Sequence, residues 1–252
     1  MLKTMKYEII RNKLTLIILM GVLAWAEVVF LFGLISNSAN TTGAGVLFLL
    51  MGAGIIYFTI WLLGLLSFSK DLRQKSGYMV FLTPINPYTI VFSKIIVALA
   101  ELFVSALLLM GVAALDIFLL GKKFGKTLGM FQFLARVYET TTDNIWAIFS
   151  SMLIVGTISV VTLYTIAYLG SALAARVTHA GSSQFWIGIL IVIGILIVFG
   201  IVSSKIPLLS SKAENIVWRR LIERIPRMIF ALVIAVGSAI GTGYLVDKKI
   251  SF

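Results

Sequence analysis

An all-α membrane protein with six transmembrane helices is the fold class this sequence predicts, and three observations carry that expectation. Of the 252 residues, 60% are apolar and 12% charged, against roughly 45–50% and about 25% in an ordinary soluble domain. The apolar residues gather into six blocks, each near the length of about 20 residues that a helix needs to cross the hydrocarbon core. A backbone in lipid must satisfy its own hydrogen bonds, which makes those blocks helices. The same figures exclude a soluble enzyme and a disordered chain. The absence of Cys excludes a disulfide scaffold, a Cys-ligated zinc site and a thiol nucleophile.

Taken in order, Met1–Lys13 is expected to lie on the membrane as an interfacial helix. Leu2, Met5 and Ile9 recur at three-to-four spacing while Lys3, Lys6 and Arg11 stay polar. The spans follow as Leu14–Ile35, Val46–Phe68, Ile95–Leu120, Ile145–Gly170, Phe185–Val202 and Met228–Val246. A signal peptide is the competing reading of the first span, since Ala24-Trp25-Ala26 precedes Glu27 in a cleavage-like pattern. The apolar run continues through Val28–Ile35, so the span is read as an anchor.

Net charge is +11, which in a soluble protein would raise nucleic acid as a partner. Here the basic residues sit between apolar blocks, where they meet lipid headgroups, so no nucleic-acid partner is expected. With the N-terminus inside, eleven of the 21 Lys and Arg fall on the cytoplasmic side and ten outside, which decides nothing. The first three connections carry four, zero and four basic residues, and early segments usually dominate insertion. Both termini are therefore expected in the cytoplasm.

The connection 69–94 is the most informative stretch. Lys70, Asp71, Arg73 and Lys75 open it, and Leu72 and Tyr78–Leu82 add apolar surface. Thr83-Pro84 stops a helix, because the residue before Pro avoids the helical region. Asn86-Pro87 restarts one, since Asn caps free amides and Pro fits the first turn. The pattern predicts a helix–break–helix elbow on the cytoplasmic face; a plain solvated connection is the bland alternative.

At these residues the chain resembles the permease subunits of the six-helix, type-2 ABC exporters, which move drugs, peptides and polysaccharides. In that family a charged helix follows span two, an apolar stretch ends in a Leu-Thr-Pro-like turn, and a second Pro and a Lys open span three. The matching positions are Asp71–Lys75, Gly77–Leu82 with Phe81, Thr83-Pro84, Pro87 and Lys94. The surface N-terminal helix, the six spans and a long outer loop before span six are similar too, so the resemblance covers the whole chain. It departs in its charged helix, which has one acid, Asp71, where the family is often Glu-rich. The resemblance implies that 69–94 is the coupling region docking a separate ABC ATPase, through Lys70, Asp71, Leu72, Arg73, Lys75, Gly77, Tyr78, Phe81, Leu82, Thr83, Pro84 and Pro87. It also implies a second permease copy, ATP and Mg bound in the partner ATPase, and a bacterial cytoplasmic membrane. No cofactor and no enzymatic activity are expected in this chain.

The outer loop 203–227 is predicted to hold an amphipathic helix. Ser211-Lys-Ala-Glu214 has a capping-box pattern, Ile216, Val217, Leu221, Ile222 and Ile225 are apolar, and Arg219, Arg220, Arg224 and Arg227 are polar-facing. Resting on outer headgroups is one reading; the resemblance suggests a re-entrant or lid helix. Gly121–Asn144 is a second outer loop with Phe124, Phe131, Phe133 and Tyr138 as interfacial aromatics. In span six, Ala235, Ala239 and Gly243 form a small-residue stripe beside Gly237-x-x-x-Gly241, expected to pack internally.

Two motifs fail. Gly125-Lys126-Thr127 resembles the end of a phosphate-binding loop, but position 120 is Leu and a span precedes it rather than a strand. His179, the one His, lies near Ser182 and Ser183 without the further partners a Ser–His enzyme or a metal site requires.

Glu27, Glu101 and Asp116 lie within apolar blocks, where ionisable groups are costly and face the bundle or water. Glu27 and Glu101 are candidates for a substrate pathway or for protonated or hydrogen-bonded structural groups, and Asp116 is placed at the outer interface. Spans so uniformly apolar suit an amphipathic cargo, a peptide or a drug. The leading expectation is the membrane subunit of an ABC exporter. The alternatives are a proton- or ion-driven secondary transporter using Glu27 and Glu101, without the repeats and broken spans common in such folds, and an intramembrane enzyme, without a catalytic constellation.

Overall fold

A computed structural model of the chain describes residues 2–36, 38–73, 86–124, 145–178, 182–213 and 215–248. Among them every regular element is a helix: α1 (Leu2–Ile35), α2 (Ala39–Arg73), α3 (Pro87–Phe124), α4 (Ile145–Val177), α5 (Ser182–Lys205), α6 (Ile216–Glu223) and α7 (Ile225–Lys248). All except α6 are long and apolar enough to cross a membrane. Large apolar side chains stand exposed along them, among them Leu14, Phe58, Phe103, Leu153, Leu190 and Val236, as a lipid-facing surface requires. The chain is an all-helical protein whose six long helices fit a multi-pass membrane protein.

The helices outrun the apolar blocks. Residues 2–13 do not form a separate element but continue into the first span, giving a 34-residue helix that measures about 51 Å at 1.5 Å per residue. The hydrocarbon core is only about 30 Å thick. Hydropathy marks the part of a helix that lipid covers, whereas the hydrogen-bond ladder runs on through polar residues that also favour helix.

The chain divides into two compact units. The first comprises 1–63 and 96–127, the second 64–95 and 128–252, so α2 and α3 each contribute to both. In the first unit α1 and α2 form an antiparallel hairpin. Ser38 starts α2, its Oγ accepting from the Thr41 amide at 3.3 Å in N-cap fashion. Gly33 lies against the Thr42 backbone and Gly45 against Phe30, so close that a Cβ on Gly45 would stand 2.5 Å from the Phe30 Cα. The buried positions on α1 (19, 23, 26, 30, 33) mirror those on α2 (56, 52, 49, 45, 42) about the turn. That alternating three-and-four spacing is the seam of two helices packed side by side.

In the second unit α4 is the central helix, packed against α5 and α7. Tyr164, Ile166, Tyr168, Ala172 and Ala174 are fully buried. Close approach comes from small residues: Gly170 faces Val192 of α5, and Gly243 of α7 faces the Tyr88 ring. Ala231, Ala235 and Ala239 are buried on the same helix, while Gly237 is open. The Ala235–Ala239–Gly243 stripe therefore packs within the unit.

Candidate functional site

Of the residues expected to form a coupling region, Lys75, Gly77, Tyr78, Phe81, Leu82, Thr83 and Pro84 lie outside the described residues. The two ends that hold this segment are described, both in the second unit. α2 closes with Phe68 and Leu72 buried, Lys70 exposed and Arg73 as its last residue. α3 opens at Pro87, with the Asn86 Oδ1 accepting from the Tyr88 amide at 2.9 Å. Pro in the first turn forgoes an N–H that would have no helical partner.

These ends are tied together by charge. Lys94 Nζ lies 2.6 Å from Asp71 Oδ2, with side chains only 1% and 4% exposed. Such a pair is costly to desolvate, and removing either partner strands a buried charge. Beside it, the Phe68 ring stacks on Tyr168 with centroids 5.0 Å apart. The Tyr168 hydroxyl donates to the Gly64 carbonyl at 2.9 Å and lies 3.1 Å from Ser67 Oγ. Lys94 had signalled only a basic residue opening span three; its pairing with Asp71 depends on how two helix ends are rotated.

The intramembrane acids belong to the first unit and separate into two levels. Asn12 Nδ2 donates to both Glu101 carboxylate oxygens at 3.1 Å. Glu8, ion-paired with Arg11, stands near enough for both to act on the Glu101 carboxyl. Glu27 faces Asp116, the two carboxyl groups within hydrogen-bonding reach. Glu27 follows Asn12 by 15 positions and Asp116 follows Glu101 by the same 15, which is about 22 Å along each helix. α1 and α3 thus run parallel and in register here. Glu27 and Glu101 do not meet, and Asp116 is buried at 8% exposure against Glu27.

The amphipathic helix of 203–227 is α6, and its cap differs from the expected one. Asn215 Oδ1 accepts from Val217 and Trp218, whereas Ser211 Oγ accepts from Ala213 in a local turn. The helix starts after the proposed capping box because Asn215, directly before Ile216, places its Oδ1 on the free Val217 and Trp218 amides. Val217 is buried against Ala147 of α4, with Ile216 beside them. Two arginines are internal braces: Arg219 Nε donates to the Ala213 carbonyl at 2.9 Å, and Arg227 Nε to the Ile206 carbonyl at 3.3 Å. A groove of about 330 Å³ separates α6, at Val217, Arg220 and the C-capping Arg224, from α4 at Met152, Val155 and Gly156.

His179 and Gly125-Lys126-Thr127 lie outside the described residues. Among the described residues, no group of three or more His, Cys, Asp or Glu gathers as a metal site would require. No family model, no curated protein and no solved structure matches the chain.

Proposed function

We propose that this chain is the membrane-spanning subunit of an ATP-driven ABC exporter. Two copies enclose a path for an amphipathic peptide or drug, and a separate ATPase docks on the 69–94 elbow at the cytoplasmic face of a bacterial membrane. Both termini lie in the cytoplasm, and ATP and Mg bind only in the partner. The supporting sequence pattern is the charged helix end, the Thr83-Pro84 break and the Asn86-Pro87 restart.

One structural observation carries the reading furthest: the buried Asp71–Lys94 pair at the feet of the elbow. A loop that merely joined two spans would gain nothing from burying two charges at its base, because desolvation offsets most of their attraction. A segment that must pass a push from a motor into helices needs its ends fixed to them. The pair ties the end of α2 to the start of α3, and Phe68 links that end to Tyr168 of α4.

The test is mild-detergent purification of the tagged chain from its native membranes, scoring co-purification of an ATP-binding subunit. A stoichiometric partner with vanadate-sensitive turnover supports the exporter. A chain that transports under an ion gradient with no ATPase present sinks it. Gly77→Trp should weaken ATPase association while leaving insertion intact, and unchanged recovery of the partner would count against the elbow as its dock.

A further inference from the structure

The Glu27–Asp116 contact joins two acids in the middle of an apolar seam, and nothing in the proposed function uses it. Ionised carboxylates are acceptors only, so two of them within hydrogen-bonding reach form a bond only when one carries a proton. A cation would be the other way to neutralise them, and among the described side chains of this unit none lies within these apolar stretches. Between Lys13 and Lys70, α1 and α2 carry no basic residue, and α3 carries none between Lys94 and Lys122. Lys122 is exposed and lies off the Asp116 face of the helix, and Lys123 stands two turns beyond Asp116, about 10 Å along the helix. In the same stretches of α1 and α2, Glu27 is the only acid.

A second observation points the same way. Glu27 Oε2 and Asp116 Oδ1 are buried without a hydrogen-bond partner among the described residues. Asp116 is more than nine-tenths buried. A buried oxygen of this kind needs a donor, and leaving it bare is costly in an apolar surrounding. The donor within reach is the opposite carboxyl in its acid form. We propose that Glu27 and Asp116 form a proton-binding site, a carboxyl pair between α1 and α3 that holds one proton. The site stands independently of what the chain transports.

An apolar carbodiimide tests it, because the reagent partitions into lipid and adds to a carboxylic acid but not to a carboxylate. The chain is treated in its membranes at neutral pH and the adducts are mapped by peptide mass spectrometry. Glu8, paired with Arg11, is the internal control. An ordinary carboxyl at neutral pH is protonated in on the order of one molecule in several hundred. Labelling of Glu27 or Asp116 at least about tenfold above Glu8 is therefore expected, unchanged by saturating sodium or potassium. Labelling no greater than that of Glu8 overturns the proposal, and so does protection by either ion, which would mean a metal cation in the proton's place. Asp116→Asn is the second arm. Its amide can donate to Glu27 without a shared proton, so labelling of Glu27 should fall towards the Glu8 level. Undiminished labelling would show that Glu27 holds its proton alone and that the pair is not the site.

Discussion

Asp71 in the second unit and Glu27 in the first pose the same physical problem, a carboxyl group among apolar helices, and they meet different partners. Asp71 faces the Lys94 ammonium at 2.6 Å, and the two charges cancel. Glu27 faces a second acid, Asp116, in a stretch without basic residues. The contrast follows from position. Asp71 sits at the end of α2, within reach of the basic residues that cluster where a span leaves the membrane. Glu27 sits inside a long apolar run, where a lysine on a neighbouring helix would itself be costly.

The largest expected effect breaks the comparison on its ionic side. Lys94→Met leaves the Asp71 carboxylate buried and alone, and should lower stability by about 3–5 kcal/mol in denaturant unfolding of the detergent-purified chain. Adding Asp71→Leu should restore most of that loss, because removing both charges of a buried pair is often close to neutral. If the double variant is no better than the single one, the pair does not account for the cost.

A smaller effect probes the packing that frames Glu27. Gly45→Ala places a methyl group against the Phe30 backbone, where only a shift of a whole helix can relieve it, and should cost about 1–3 kcal/mol. Gly237→Ala, with open space around it, should be neutral or stabilising by up to about 1 kcal/mol in the same assay. Equal effects at both sites would contradict the close α1–α2 seam. Tyr168→Phe, which removes the hydroxyl bonded to the Gly64 carbonyl, should cost about 1 kcal/mol.

The smallest effect sharpens the acid pair. Glu27→Gln replaces the acid by an amide that can donate to Asp116, and should change stability by less than about 1 kcal/mol. A loss as large as that of Lys94→Met would mean that Glu27 is needed as an anion.

Much of the architecture was legible from residues alone. Six apolar blocks became six long helices, and α3 begins at Pro87 with Asn86 as its cap, where the turn chemistry placed it. The helix ends were less legible. Residues 2–13, read as a separate surface helix, continue α1, since hydropathy registers lipid contact and not the reach of a hydrogen-bond ladder. The cap of α6 fell on Asn215 rather than Ser211, two plausible cap residues a few positions apart.

The sequence by itself determined the number and order of the long apolar helices, because backbone hydrogen bonding and transfer of side chains into lipid are local properties, summed along the chain. It also marked Glu27, Glu101, Asp116, Asp71 and Lys94 as residues in costly places. Only the tertiary structure decided their partners: Lys94 for Asp71, Asn12 for Glu101, Asp116 for Glu27. A partner is chosen by the rotation and register of two helices, and a slide of one turn moves a side chain by about 5.4 Å. The shared 15-residue interval from Asn12 to Glu27 and from Glu101 to Asp116 was present in the sequence throughout. It acquired meaning once α1 and α3 were seen side by side, parallel and in step.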